Sequence, residues 1–308
     1  MPVPAMRQKW RKKENRKYKD NIMISIIICS QYPQLSQEVH NSLSSTIGVP
    51  YELVYVFNED NKYSIFEAYQ KGVQQAKGDI LYFMHNDVLF YSQNWGQIVE
   101  QALIDSSVGG CAVAGVQYLR CSPAYYPIGH GMNRINLIQS TPNGNLYWHD
   151  YDQISEIVAF DGLWFCIKAE CFRNIHFDTQ TYSGFHFYDI DIALQLHENG
   201  YKIVCLPNIK IKHLSGGHTN ESWLRNSFAF AFKWSKSLPL TCVPINADLA
   251  KHLELSALYS SLKSICQYKA FDLLHQWIFF AKQICGYPLL ISLWLILYHH
   301  FTNKHTKS

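Results

Sequence analysis

Apolar residues in this chain come as short unbroken runs separated by stripes at helical spacing, and that alternation predicts the first half of the fold. Met23 to Cys29 is an Ile-rich run, as expected of a strand buried on both faces of a parallel sheet. Leu35, Val39 and Leu43 then recur every four residues and predict a helix. Glu52 to Phe57 reads as a second strand, ending in Asn58-Glu59-Asp60-Asn61. Ser64 opens a second helix: Glu67 completes a capping box, the stripe is Ile65, Ala68, Tyr69, Val73 and Ala76, and Lys77-Gly78 closes it. Ile80 to Met84 is the third strand. Three strands joined by two helices make a βαβαβ unit, and right-handed crossovers turn it into a nucleotide-binding half-sheet.

Beyond Asp87 the pattern predicts a helix over Trp95 to Asp105 and a small-residue strand from Cys111 to Val116. From Gln117 to Glu156 no period is visible, and a stretch that long reads as a loop excursion over a substrate. Val158 to Ile167 reads as an apolar strand interrupted by Asp161-Gly162. A helix from Asp189 to Asn199 is stopped by Gly200. Two short strands follow, Tyr201 to Leu206 and Ile209 to Lys212, ending at His213. Leu253 to Cys266 is helical in pattern, and from Phe271 the chain is strongly apolar. Tyr287 to Tyr298 carries no charge, but Lys282 and Pro288 hold the uninterrupted run below a membrane span. Two readings of this tail stand together: a helix packed on the domain, or an interfacial anchor with Trp277, Trp294 and Tyr298 at headgroup level. The domain division is therefore a basic arm over 1–20, an α/β domain over 21–240 and a helical, apolar tail over 241–308.

Composition narrows the class. The chain has 308 residues, 48% hydrophobic and 17% charged, with a net charge of +3, so no basic surface for nucleic acid is expected of the whole molecule. The charge is uneven: eight Lys or Arg residues stand against one Glu between Arg7 and Lys19, an arm suited to an anionic membrane surface. Nine cysteines form no CxxC pair and read as reduced thiols of a cytoplasmic protein. The basic stretch before Ile22 to Cys29 imitates a signal peptide, but no small-residue cleavage site follows. The expected location is cytoplasmic, with peripheral contact at the inner face of the plasma membrane.

The candidate chemistry begins at His85-Asn86-Asp87, directly after the third strand. Ligand sites of open α/β sheets lie at such carboxyl ends, and a carboxylate there can hold a divalent cation against a diphosphate. Further motifs fall into a familiar order. Ala68-Tyr69-Gln70-Lys71-Gly72 through Ala76-Lys77-Gly78 resembles an A-x-N-x-G-x-x-x-A-x-G helix, with Gln70 for Asn. His85-Asn86-Asp87 stands where a D-x-D motif would. Tyr188-Asp189-Ile190-Asp191 with Gly200-Tyr201 resembles E-D-x-D with a later G-Y, and His213 precedes Ser215-Gly216-Gly217. Over residues 22 to 235 the chain resembles a GT-A glycosyltransferase of the family 2 type, as found in bacterial surface-polysaccharide synthesis.

That resemblance implies a mixed, mainly parallel GT-A sheet with a helical C-terminal extension. It also implies transfer of a sugar, with inversion, from a nucleoside diphosphate-sugar (a UDP-sugar foremost) to a saccharide or lipid-linked acceptor. Asp87 and His213 are the implied metal ligands, and imidazole favours Mn²⁺ over Mg²⁺. Gln31, Tyr32, Asn58, Glu59, Gln70, His85, Asn86, Asp161 and Gly162 are the implied nucleotide-sugar contacts. The catalytic pair is Asp189 and Asp191, with Asp189 as base. Two apart on a helix, they diverge by about 200°, so one can serve as base while the other caps or orients. Each of these residues also has an ordinary use, as strand-end polar group, turn former or helix N-terminal acid. Because His85 replaces an acid and Tyr188 a Glu, a catalytically silent sugar-nucleotide-binding or scaffold protein is the alternative. A nucleotidyltransferase is disfavoured, since Ser30 to Ser36 offers no Gly, Lys or Arg.

Overall fold

In the computed structural model, which describes residues 22–123, 129–217 and 219–284, the βαβαβ unit forms as the apolar pattern requires. Strand β1 (Ile24–Ser30) lies between β2 (Tyr51–Phe57) and β3 (Ile80–Met84), parallel to both. Helices α1 (Gln37–Thr46) and α2 (Ile65–Gln75) make the crossovers. Each begins at a serine whose hydroxyl accepts a helix N–H, Ser36 from Val39 and Ser64 from Glu67; the Glu67 carboxylate returns the bond to Ser64 N. All five residues of β3 are buried, the reason its sequence shows no alternation.

After β3 the chain leaves the first sheet and enters a second. Strand β4 (Val88–Phe90) follows the His85–Asp87 turn, then helix α3 (Trp95–Ala102). The strand expected from Cys111 to Val116 divides into β5 (Val108–Ala112) and β6 (Ala114–Val116), which belong to different sheets. The stretch Gln117 to Glu156 is more ordered than its sequence suggests. It holds β7 (Tyr118–Leu119), a hairpin of β8 (Asn133–Thr141) and β9 (Gly144–His149), and β10 (Ser155–Ile157). Every residue of β9 is exposed, so burial leaves no periodic mark there. The single strand expected from Val158 to Ile167 is also two, β11 (Ala159–Phe160) and β12 (Trp164–Lys168), split at Asp161-Gly162.

Helix α4 (Tyr188–Glu198) precedes β13 (Lys202–Cys205) and β14 (Ile211–His213). The seven-stranded sheet has the order β10-β13-β5-β12-β3-β1-β2, and β12 runs antiparallel to β3. The smaller sheet carries β11-β6-β8-β14-β4, with β9 on β8. Beyond them come α5 (Glu221–Lys233), β15 (Leu240–Thr241), α6 (Ala247–Tyr268) and a helix over 274–284.

Helix α6 shares the domain's hydrophobic core through Leu258, Leu262 and Ile265, and Trp277 of the next helix donates its indole N–H to Leu258 O. Buried Glu254 ties α6 to the stretch after β7 by accepting from Cys121 N, Ser122 N and the Ser122 and Tyr118 hydroxyls. No helix among the described residues is long and apolar enough to cross a membrane. The basic arm over 1–20 and the apolar run Tyr287 to Tyr298, with Trp294, lie outside the described residues.

Candidate active site

The site lies where the two sheets meet. Strand β3 ends at Met84 in the first sheet, β4 begins at Val88 in the second, and the turn between them carries His85, Asn86 and Asp87. Strand β14 pairs with β4 so that His213 lies opposite Val88, and with β8 in register with Gln139. Two strand ends and one turn therefore bring His85, Asp87 and His213 together, with one ligand atom of each within 4.8 Å of the others. His85 Nδ1 is 3.2 Å from His213 Nε2, which is 3.4 Å from Asp87 Oδ1.

The surrounding hydrogen bonds fix which ring nitrogens are bare. Gln139 donates its amide N–H to Ser215 O at 2.6 Å, so its Oε1 accepts from His213 Nδ1 at 3.0 Å. A neutral His213 protonated at Nδ1 carries its lone pair at Nε2. Tyr188 spends its only proton on Gly162 O at 3.0 Å, so its oxygen accepts from His85 Nε2, also at 3.0 Å. The His85 lone pair is then at Nδ1. With both rings in these tautomers, two bare nitrogens and a carboxylate oxygen face one point, the form in which a cation can be held.

Charge states agree with this picture. Burial first, and then the neighbouring His213, lower the His85 pKa to about 4, so its ring is neutral near pH 7. Burial works against the charge of Asp87, but the hydrogen bonds it accepts from Ser215 and, when His213 carries a proton on Nε2, from His213 hold its carboxyl well below the usual carboxylate range; a bound cation would take the place of that proton. The donor set, two imidazoles and one carboxylate, fits a divalent transition ion better than Mg²⁺, which prefers oxygen.

The cluster borders a cavity of about 340 Å³ lined by His85, Asp161, Asp189, His213, Phe185 and Trp148, among others. Asp189 stands on the first turn of α4, and the backbone N–H groups of Ile190, Asp189 and Gly162 face its carboxylate. Burial, reinforced by the charge of Asp161, nevertheless pushes its pKa up to about 7, the range a general base needs. Burial also raises Asp161, whose carboxylate accepts from Leu163 N at 3.0 Å. Helix α4 starts from a constrained residue. Phe187 has φ 77°, a left-handed conformation costly for a bulky side chain, held by packing on Trp223 and Phe230. Gly162 is demanded by space: a Cβ there would lie 2.2 Å from the Tyr188 hydroxyl.

The sequence-predicted residues divide. His85, Asp87, His213, Asp161, Gly162 and Asp189 meet at this site. Asp191 does not: it turns away from the cavity and is 1% exposed. It pairs with Lys233 at 2.7 Å and accepts from Tyr182, Trp234 and Gln195, so it anchors α4 to α5. Gln70 accepts from Phe177 N and is absent from the cavity lining. The Asn58 side chain is consumed by the N–H and C=O of Tyr63. Asn86 donates to Ser30 Oγ at 2.7 Å and ties the ends of β1 and β3 together. Gln31, Tyr32 and Glu59 are exposed at the carboxyl ends of β1 and β2, outside the cavity. Gln139, Phe185, His186 and Trp148 were not indicated by the sequence. Gln139 and Trp148 sit in the unpatterned stretch, and only the strand pairing reveals them.

Where these groups sit decides the class. They gather at the carboxyl end of a βαβαβ half-sheet, the place where such sheets hold a diphosphate-bearing ligand; the chain is a glycosyltransferase with the GT-A fold. The model of the Glycosyltransferase like family matches residues 25–233, and the chain belongs to that family. Among solved structures it is similar to GalNAc-T7 with UDP, GalNAc and Mn²⁺, at 12% identity and TM-score 0.50, covering 70% of this chain and 50% of that one. It is also similar to the mannosyltransferase PcManGT from Pyrobaculum calidifontis in complex with GDP-Man and Mn²⁺, at 13% identity and TM-score 0.46, covering 97% and 87%. A third is A197 from STIV, at 11% identity and TM-score 0.39, covering 63% and 86%. At such identities the likeness is one of fold, and the GalNAc-T7 match carries it. No curated protein sequence matches the chain.

Proposed function

We propose that the enzyme moves a sugar from a nucleoside diphosphate donor, a UDP-sugar foremost, to a hydroxyl of a saccharide or lipid-linked acceptor, with inversion and with help from a divalent cation. The observation that carries this reading is the meeting of imidazole nitrogens from His85 and His213 with the Asp87 carboxylate, beside a cavity that Asp189 also lines. GalNAc-T7, which shares the fold, is described with UDP and Mn²⁺.

His85, Asp87 and His213 would hold the cation, Mn²⁺ in preference to Mg²⁺. Bound there, it supplies positive charge toward the leaving diphosphate. The other roles belong to the chain itself. Asp189, ionised, takes the proton of the acceptor hydroxyl as that oxygen bonds to the anomeric carbon. The bond from that carbon to the diphosphate oxygen breaks on the opposite face, and configuration inverts. Asp161 faces the same cavity and serves to hold donor sugar hydroxyls. Gln31, Tyr32 and Glu59 border the nucleotide. Residues 21–240 form the catalytic unit and 241–308 its apolar extension, with the basic run Arg7 to Lys19 drawing the enzyme to an anionic inner membrane face. Surface-polysaccharide or lipopolysaccharide assembly is the corresponding setting.

Nucleotide release tests the reading. UDP-, GDP-, CDP- and dTDP-sugars are incubated with the enzyme and Mn²⁺, Mg²⁺ or EDTA. Release from one donor that needs Mn²⁺ and is lost in Asp87→Ala is the expected result. Release that ignores both EDTA and Asp87→Ala would remove the metal-dependent mechanism.

A further inference from the structure

Strand β9 is an edge strand that exposes three consecutive apolar residues. Leu146, Tyr147 and Trp148 are 51%, 70% and 43% exposed, although an open edge normally carries charge. The six described tryptophans divide sharply. Trp95, Trp164, Trp223, Trp234 and Trp277 are all buried, and Trp148 is the exposed one. Its placement is specific. Trp148 lies directly opposite Leu137 on β8, so both side chains share one face of the hairpin, together with Gln139 two residues on. Gln139 is the residue that orients His213. The indole therefore stands about 7 Å along the strand from that ligand's support, two residues at roughly 3.4 Å each. It lines the same cavity as Asp161 and Asp189. Phe185, 48% exposed, lines the cavity too and packs on the His85 ring.

We propose that Trp148 is the platform for the acceptor, and that the acceptor end presented to the enzyme is a pyranose ring. A pyranose offers an apolar face of C–H groups and a rim of hydroxyls. Trp148, with Phe185 near it, matches the face; His186 and Thr219, which also line the cavity, match the rim. Indole suits this use because it combines a large rigid apolar surface with an N–H for a hydroxyl. A nucleobase is not the occupant, since the carboxyl ends of β1 and β2 that would receive the nucleotide belong to the other sheet. The inference rests on Asp189 being the base that faces the acceptor.

Saturation-transfer NMR with the methyl glycosides of glucose, galactose, mannose and N-acetylglucosamine tests it, on wild type, Trp148→Ala and Trp148→Phe. Acceptor-free hydrolysis of the sugar nucleotide is followed for all three. Because the indole is exposed, both variants are expected to fold, and a thermal melt with the wild-type midpoint shows an intact structure. The expected result is saturation of at least one glycoside by wild type, about tenfold weaker binding by Trp148→Ala, and recovery of most of it by Trp148→Phe. Equal binding by wild type and Trp148→Ala overturns the proposal. So does a wild type that hydrolyses donor yet saturates none of the four glycosides. A wild type that neither hydrolyses nor binds any sugar nucleotide refutes the transferase reading itself, and the acceptor platform falls with it.

Discussion

Replacing Tyr188 by Phe removes one oxygen atom and tests how the His85 lone pair is aimed. The hydroxyl is buried, accepts from His85 Nε2 and donates to Gly162 O, both at 3.0 Å. Without it, a His85 that keeps its proton on Nε2 leaves a buried N–H unpaired, at a cost of about 1–3 kcal/mol. The ring escapes by moving the proton to Nδ1, where His213 Nε2 accepts it at the existing 3.2 Å separation. That hydrogen bond occupies both lone pairs that a cation needs. Loss of such orienting partners costs roughly 10–100-fold in metal affinity, about 1.4–2.7 kcal/mol. Titrating Mn²⁺ into wild type and Tyr188→Phe by calorimetry measures the effect, with a thermal melt to confirm folding. Tyr188→Phe binding Mn²⁺ within twofold of wild type would refute the reasoning, because it would mean that the hydroxyl does not set the tautomer.

The same geometry makes further predictions. The Asp189 carboxyl, pushed up to about 7, holds its proton below that pH; kcat/KM should therefore rise through pH 7, and Asp189→Asn should abolish turnover while nucleotide binding survives, as equilibrium dialysis would show. Gly162→Ala should reduce activity at least tenfold, since its Cβ would collide with the Tyr188 hydroxyl; wild-type kinetics from this variant would show that the ring can yield. Asp191→Ala should act on stability, by up to about 3–5 kcal/mol for a broken buried pair, lessened because Lys233 keeps Asp178 at 2.8 Å; denaturant unfolding measures it. Glu254→Ala should loosen α6 from the segment after β7 by leaving Cys121 N and Ser122 N without their acceptor, visible as faster amide exchange there.

What the sequence disclosed follows from where burial is periodic. Strands β1 and β3 are buried on both faces and α2 on one, so the Ile-rich Ile24–Ile28, the unbroken Ile80–Met84 and the Ile65–Val73 stripe announced them. The β8–β9 hairpin gave no signal because β9 is exposed throughout. An apolar run also says nothing about which sheet receives it, and for that reason Val158 to Ile167 read as one strand although Asp161-Gly162 divides two. The site behaved alike. His85, Asp87, His213 and Asp189 were visible because strand ends and a helix start place them. Asp191 lies in the core, away from the cavity, and sequence spacing separates the two acids by direction without saying which direction is the core. The two departures from the family's motif, His85 and Tyr188, looked like losses in the sequence. In the fold they touch one another, and the tyrosine aims the histidine.

The most direct test of the account is the first coordination sphere of Mn²⁺ bound to the wild-type enzyme, read by electron spin-echo modulation from imidazole nitrogen. Two coupled imidazoles in wild type, one in His213→Ala and one in His85→Ala are the predicted result. A spectrum without nitrogen coupling, or one unchanged by either substitution, would contradict the claim that these two rings converge on the metal.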